Sequence, residues 1–232
     1  TSEAIEDSFV EFANKIEDKS HLFITTELPI EGVICSLNDD GAYKAFNVRV
    51  GNGSYIFDVQ TPTAVITDLH FGLPGRHNLM NALMAIAMAN LFGIPTVEIA
   101  KAIASFKGIK RRFSYQIKTE SKVYIDDYAH HPTEINAVYQ AVRELYPGQK
   151  VLAVFQPHLF SRTRDFADDF AKSLSAFDEV ILLDIYPARE LPMEGINSKW
   201  LMQKMTNNSK KLITKSDLVP LILASDASII VT

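Results

Sequence analysis

Three scarcities bound what this chain can be. It contains one cysteine, Cys35, so no disulfide can form within it, and a reducing cytosolic setting fits. Its longest apolar runs fall well short of the roughly 20 residues that span a bilayer, so membrane insertion is not expected. Positive charge is also short. Lys and Arg number 23 against 28 Asp and Glu, for a net charge of −5 and a pI near 5.7. Such an acid balance argues against a nucleic-acid partner. The opening run T-S-E-A-I-E-D lacks the basic-then-apolar form of a signal peptide. No glycine-rich run ending in G-K-[ST] occurs, so that type of phosphate-cradling loop is absent from these residues.

What is present suffices for a folded core. The chain has 232 residues, 47% hydrophobic and 22% charged, enough for one large domain or two modest ones. The apolar spacing of Ile5, Phe9, Phe12, Ala13 and Ile16 predicts an amphipathic helix over 2–16, capped by Thr1 or Ser2. Short strands are expected at 21–25 and 32–35. Alternating residues from Ala42 to Asp68, broken by Gly51-Asn52-Gly53, predict an antiparallel hairpin. A strongly apolar helix follows over 79–92, then one that Thr96 can cap, running to about Phe106.

Beyond Gly108–Arg112 the rhythm becomes strand, helix, strand, helix. Strands are expected near 122–126, 150–155, 179–184, 210–214 and 228–231, with helices near 132–146, 163–176, 197–206 and 217–224. That spacing implies right-handed crossovers and a parallel sheet. The fold class is therefore α/β, with a boundary near Arg111. The buried-strand pattern at Ser228–Thr232 suggests a piece of a longer protein.

Two stretches stand at the carboxyl ends of expected strands, where open α/β sheets bind ligands. They are D-D-Y-A-H-H-P-T-E, Asp126 to Glu134, and F-Q-P-H-L-F-S-R-T-R-D, Phe155 to Asp165. Three histidines, two arginines and two aspartates are thereby expected to converge. The aspartates can accept from sugar hydroxyls or cap turns; the histidines can donate to an anion or precede Pro132 without a role. Arg162 and Arg164 can fork a carboxylate or phosphate, or lie solvated, and Thr163 can cap a helix. In G-R-H-N-L-M-N, Gly75 to Asn81, Asn78 and Asn81 share a helix face. An asparagine amide matches an adenine edge, and capping is the alternative. Lys110-Arg111-Arg112 can meet phosphate charge or form a solvated hinge. Cys35 reads as a small core residue.

G-R-H-N-x-x-N, G-x-x-R-R-F, D-D-Y-A-H-H-P-T-E, F-Q-P-H-x-F-S-R-T-R-D and D-I-Y-P-A-R-E, Asp184 to Glu190, occur together and in order. Jointly they resemble the Mur ligases, ATP-dependent amide-forming enzymes of peptidoglycan precursor synthesis. The resemblance covers the whole chain. It implies that residues 1–111 are the later part of a central ATP-binding domain and that residues 112–232 are a C-terminal Rossmann-like domain. It implies ATP and Mg²⁺ as cofactors, with the magnesium ligands outside this chain, and cytoplasmic location. The nearest branch joins L-alanine to the carboxylate of UDP-N-acetylmuramate through an acyl-phosphate. A peptide-recycling ligase and a non-catalytic nucleotide-binding module are the alternatives.

On that resemblance Asn81 contacts adenine, His77 and Asn78 shape its site, Arg112 reaches the phosphates and Asp127 holds the ribose. His131, His158 and Arg162 face the amino acid and the acyl-phosphate. Leu159 stands where relatives often carry arginine. The implied partners include the missing segments of the parent chain, without which the fragment is expected to be inactive.

Overall fold

The computed structural model describes residues 2–25, 30–37, 40–51 and 54–232. Thr1, and Asn52-Gly53 of the expected hairpin turn, lie outside the described residues. The chain divides into two compact units, 1–107 and 108–232.

The first unit opens with α1 (Ser2–Asn14). A five-stranded sheet follows: β1 (Phe23–Ile24), β2 (Val33–Leu37), β3 (Tyr43–Gly51), β4 (Ser54–Gln60) and β5 (Val65–Phe71), in that spatial order. β1, β2 and β3 pair in parallel, while β3–β4 and β4–β5 are antiparallel, as the alternation of polar and apolar residues predicts. Helices α2 (Arg76–Leu91) and α3 (Thr96–Ser105) complete the unit. Leu79, Leu83 and Ile86 of α2 are buried with Phe57, Leu69 and Tyr55 of the sheet in one core. Thr96 does not cap α3. Pro95 occupies the N-cap and no side chain bonds the first turn. A proline there already presets the backbone, leaving Thr96 inside the helix. The amphipathic helix forms at the expected place, but Ile5, Phe9 and Phe12 are 61%, 65% and 67% exposed. Ala13 alone of that stripe is buried, so the sequence pattern marks a face that no described residue covers.

The second unit is an α/β sandwich. Its elements are β6 (Ser114–Lys118), β7 (Val123–Asp126), α4 (Pro132–Leu145), β8 (Val151–Phe155), α5 (Phe160–Asp165), α6 (Ala167–Leu174), β9 (Glu179–Leu182), α7 (Ser198–Lys204), β10 (Lys210–Leu212), α8 (Lys215–Ala224) and β11 (Ile229–Val231). The sheet order is β10-β9-β8-β11-β7-β6. All pairs are parallel except β6–β7. The antiparallel edge strand β6 has no counterpart among the expected strands. Its residues S-Y-Q-I-K are half-buried or exposed and carry a weak signal.

Chain direction explains the faces. From β7 the chain steps past one position to β8, then outward to β9 and β10. α4, α6 and α7 pack on one face, through Val138, Phe170, Leu174 and Leu201. β11 then returns into the gap between β7 and β8. Reversing direction with a right-handed crossover puts α8 on the opposite face, where Leu218, Leu221 and Ile222 meet Leu152, Val154 and Ile181. A crevice opens at the carboxyl ends of the strands where direction reverses.

The helix expected from 163 starts earlier, at Phe160, and breaks at Phe166 into α5 and α6. Thr163 is therefore no cap. It is fully buried inside α5, and its hydroxyl donates to the Leu159 carbonyl at 2.8 Å.

Candidate functional site

The end of β7 is shaped by tight backbone turns. Asp127 N donates to the Thr232 carbonyl at 2.8 Å, tying the β7 end to β11. The Asp127 carboxylate accepts from Phe113 N at 2.7 Å. Phe113 and Arg111 both have left-handed backbone, at φ 48° and 60°. Tyr128 N donates to the Arg111 carbonyl at 2.8 Å. The Arg111 guanidinium lies 4.6 Å from the centre of the Tyr128 ring, with its Nε 3.9 Å from Asp126. Arg111 thus lines the cleft. Its neighbour Arg112 is exposed and does not line it.

The adjacent histidines take different roles. His131 is the N-cap of α4: its Nδ1 accepts from Thr133 N at 3.4 Å, and its ring meets Phe166 edge-on at 4.7 Å. Pro132 follows at the first helical position, where its missing N–H costs nothing. His130 turns into the cleft. Glu134 closes the capping box by accepting from His130 N at 2.9 Å and His131 N at 3.1 Å. His130 Nδ1 is 2.9 Å from the Tyr128 carbonyl and 3.3 Å from the Glu134 carboxylate. Both are acceptors, so Nδ1 carries a proton and Nε2 faces away from them. The local signal that separates the two was readable: His131 precedes proline and stands three residues before a glutamate, a capping-box spacing.

At the end of β8, His158 bridges to Tyr186 in the loop after β9, and their rings stack at 5.2 Å and 28°. Burial, the nearby Arg162 charge and His130 push the His158 pKa below that of a free imidazole, against a smaller opposing pull from Glu190. The neutral form of His158 is thereby favoured. Leu159 sits at φ 73° and ψ 134°, a sparsely populated backbone region that costs a residue with a side chain about 1–3 kcal/mol. That turn swings Arg162 on α5 toward the cleft. Arg164 instead bonds Asp165 at 2.7 Å.

The cleft has a volume of about 600 Å³ and combines both strand ends with the start of α8. Asp126, Asp127, His130, His158, Arg162, Arg111 and Tyr128 line it, and so does Lys215, which sequence reasoning did not single out. The side chains of Arg162 and Lys215 have no hydrogen-bond or ion-pair partner among the described residues. A crevice lined by these two unpaired cations suits an anionic ligand.

The remaining expected residues stand in the first unit. Gly75, with φ 95°, is the N-cap of α2, and its N–H donates to the buried Tyr55 hydroxyl at 3.1 Å. His77 and Asn81 are exposed on the first turns of α2, while Asn78 Nδ2 donates to the Pro74 carbonyl at 2.6 Å.

A sequence model of the family "Mur ligase, glutamate ligase domain" matches residues 111–227. The chain belongs to the Mur ligase family. Two curated relatives carry the name UDP-N-acetylmuramate–L-alanine ligase. One, from Flavobacterium johnsoniae, is 72% identical over 100% of this chain and 52% of its own length. The other, from Flavobacterium psychrophilum, is 67% identical over 99% and 51%. This Mur ligase chain thus spans about half the length of the curated relatives it matches. Its fold is that of the solved UDP-N-acetylmuramate-alanine ligase from Thermotoga maritima, at a TM-score of 0.69 and 24% identity over 86% of this chain and 43% of that one.

Among the described residues of this Mur ligase chain, no group of three or more His, Cys, Asp or Glu is placed to hold a metal ion. No helix among them is long and apolar enough to cross a membrane.

Proposed function

We propose that the chain is part of an ATP-dependent ligase joining L-alanine to the carboxylate of UDP-N-acetylmuramate, with the second-unit cleft receiving the amino acid. One observation carries this reading: His130, His158 and Arg162, from two separate strand ends, line one cleft at the reversal point of the sheet. The two relatives 72% and 67% identical to this chain bear that ligase's name.

ATP supplies the phosphoryl group that activates the carboxylate. This chain's residues bind and orient the groups that react. Arg162 pairs with a carboxylate or phosphoryl oxygen as a two-pronged donor. His130 Nε2, held as an acceptor by Glu134 and the Tyr128 carbonyl, takes a proton from the attacking amine. Neutral His158 adds hydrogen bonding without a second fixed positive charge beside Arg162. His131, expected from sequence to face the amino acid, acts through the helix cap that aims His130. Asp127 with Arg112, and His77, Asn78 and Asn81 in the first unit, form the nucleotide side of the reading. Residues 1–111 then belong to the ATP-binding domain and residues 112–232 to the amino-acid-presenting domain.

The test is turnover by the full-length parent. ADP release should require both UDP-N-acetylmuramate and L-alanine, and the 232-residue chain alone should give none. Preference for a tripeptide over L-alanine would transfer the reading to a recycling ligase. ATP binding by this chain without any turnover of the parent would support a nucleotide-binding module instead.

A further inference from the structure

The run Asp184–Glu190 has no part in the reading above, yet it is bonded repeatedly to the β8 end. Gln156 Nε2 donates to the Asp184 carbonyl at 2.9 Å. Tyr186 N donates to the Pro157 carbonyl at 2.8 Å, and Leu159 N donates to the Tyr186 carbonyl at 2.9 Å. A turn follows in which Ala188 is left-handed, at φ 49°, and Glu190 N donates to the Pro187 carbonyl at 2.9 Å. The turn brings the Glu190 carboxylate back to the start of α5. It accepts from Ser161 N at 2.9 Å and from the Ser161 hydroxyl.

The start of α5 needs such a partner. Its N-cap is Leu159, which has no side-chain oxygen, and no side chain of its own caps the helix. The first N–H groups of a helix are left without internal partners, and a negative charge there is favourable. Glu190 supplies both from 29 residues away. Ser161 immediately precedes Arg162, and Leu159, with its costly backbone, immediately follows His158. The same loop therefore clamps both sides of the turn that presents the two cleft residues.

We propose that Glu190 is a positioning residue of the cleft: by holding Ser161 it fixes the turn that aims Arg162 and His158 at the substrate's anionic groups. The functional half of this proposal rests on the cleft being the amino-acid site; the structural half does not. The groups acting on His158 are Arg162 from α5, His130 from the loop after β7, and Tyr186 and Glu190 from the clamp. Glu190 is the anion among them, so removing its charge leaves the Arg162 charge beside His158 unopposed.

Two measurements test the role. In the 232-residue chain, an NMR titration of His158 should show a lower midpoint in Glu190→Gln than in the parent sequence. Ser161→Ala, which keeps the charge and removes one bond, should shift it less. In the full-length enzyme, Glu190→Gln should raise the KM for L-alanine roughly tenfold, with kcat changed much less, since small displacements of a positioning group are costly. Glu190→Asp should recover part of that loss. An unmoved His158 midpoint together with an unchanged KM overturns the proposal. If Glu190→Gln does not fold, Glu190→Asp and Ser161→Ala decide, and parent-like values in both count against it. If the full-length parent does not use L-alanine, the ligase reading fails while the titration still judges Glu190.

Discussion

Asp58 in the first unit and Asp127 in the second do the same mechanical work in different company. The Asp58 carboxylate accepts from Asn47 Nδ2 at 2.8 Å and from Asp68 N at 2.9 Å. It holds two irregular turns of β3 and β5, where Asn47 and Asp68 are left-handed at φ 51° and 52°. Asparagine and aspartate tolerate that backbone. The surrounding charge is also settled locally, with Arg49 paired to Asp68 at 3.0 Å. Asp127 likewise holds left-handed backbone, but the residues there are Phe113 and Arg111, with Leu159 close by at the next strand end. Those side chains resist the conformation, and two cations of the adjoining cleft, Arg162 and Lys215, have no ion-pair partner among the described residues. Left-handed backbone alone therefore does not mark a site. Costly strain together with unpaired charge at a crevice is what sets the second-unit cleft apart.

Several measurements can break or sharpen that contrast. The largest effect is expected at the cleft: Arg162→Ala should lower kcat/KM of the full-length enzyme by roughly 10²–10³-fold, with a folded circular-dichroism spectrum retained. Adjacent histidines come next. His130→Ala should cost about 10²-fold in the same assay. His131→Ala should act mainly through the cap and cost about 1 kcal/mol in urea unfolding. A reversed ranking would return the catalytic role to His131. In the first unit, Asp58→Ala should destabilise by about 1–3 kcal/mol, because it strands the Asn47 amide and the Asp68 N–H. That loss should appear in unfolding with no dependence on cleft ligands.

The smallest effects concern pH. The folded pKa of His158 is lowered, so the neutral form is favoured by folding. Its contribution is present above the free imidazole value of about 6.5 and is lost as pH falls through the folded pKa. Asp58 also has a lowered pKa, through its bonds from Asn47 and Asp68. Its contribution holds at neutral pH and is lost only at acid below the ordinary carboxylate range. Melting curves of His158→Gln should therefore flatten between pH 7 and 5, and those of Asp58→Asn at lower pH.

Much of the fold was legible. The five strands expected beyond Gly108 form within about two residues of their predicted ends, because continuous Val/Ile/Leu runs in a sheet covered on both faces have few alternatives. β6 was not legible, since an exposed edge strand needs no apolar pattern. Nor was the break between α5 and α6. His158 and Arg162 line the cleft, a placement readable from their position after a buried strand. His130 and Arg111 were within the motifs read from the sequence, but their neighbours His131 and Arg112 were preferred over them, and Lys215, at the start of α8 with no motif around it, was not singled out.

The sequence by itself determined the family, the α/β class and the two strand ends that carry polar chemistry, since these follow from residue order and apolar periodicity. Tertiary structure decided which member of each pair enters the cleft. Left-handed turns at Arg111, Phe113 and Leu159, held by Asp127 and by the loop ending at Glu190, aim side chains through contacts made across the fold. Contacts between residues far apart in sequence leave no periodic trace in it.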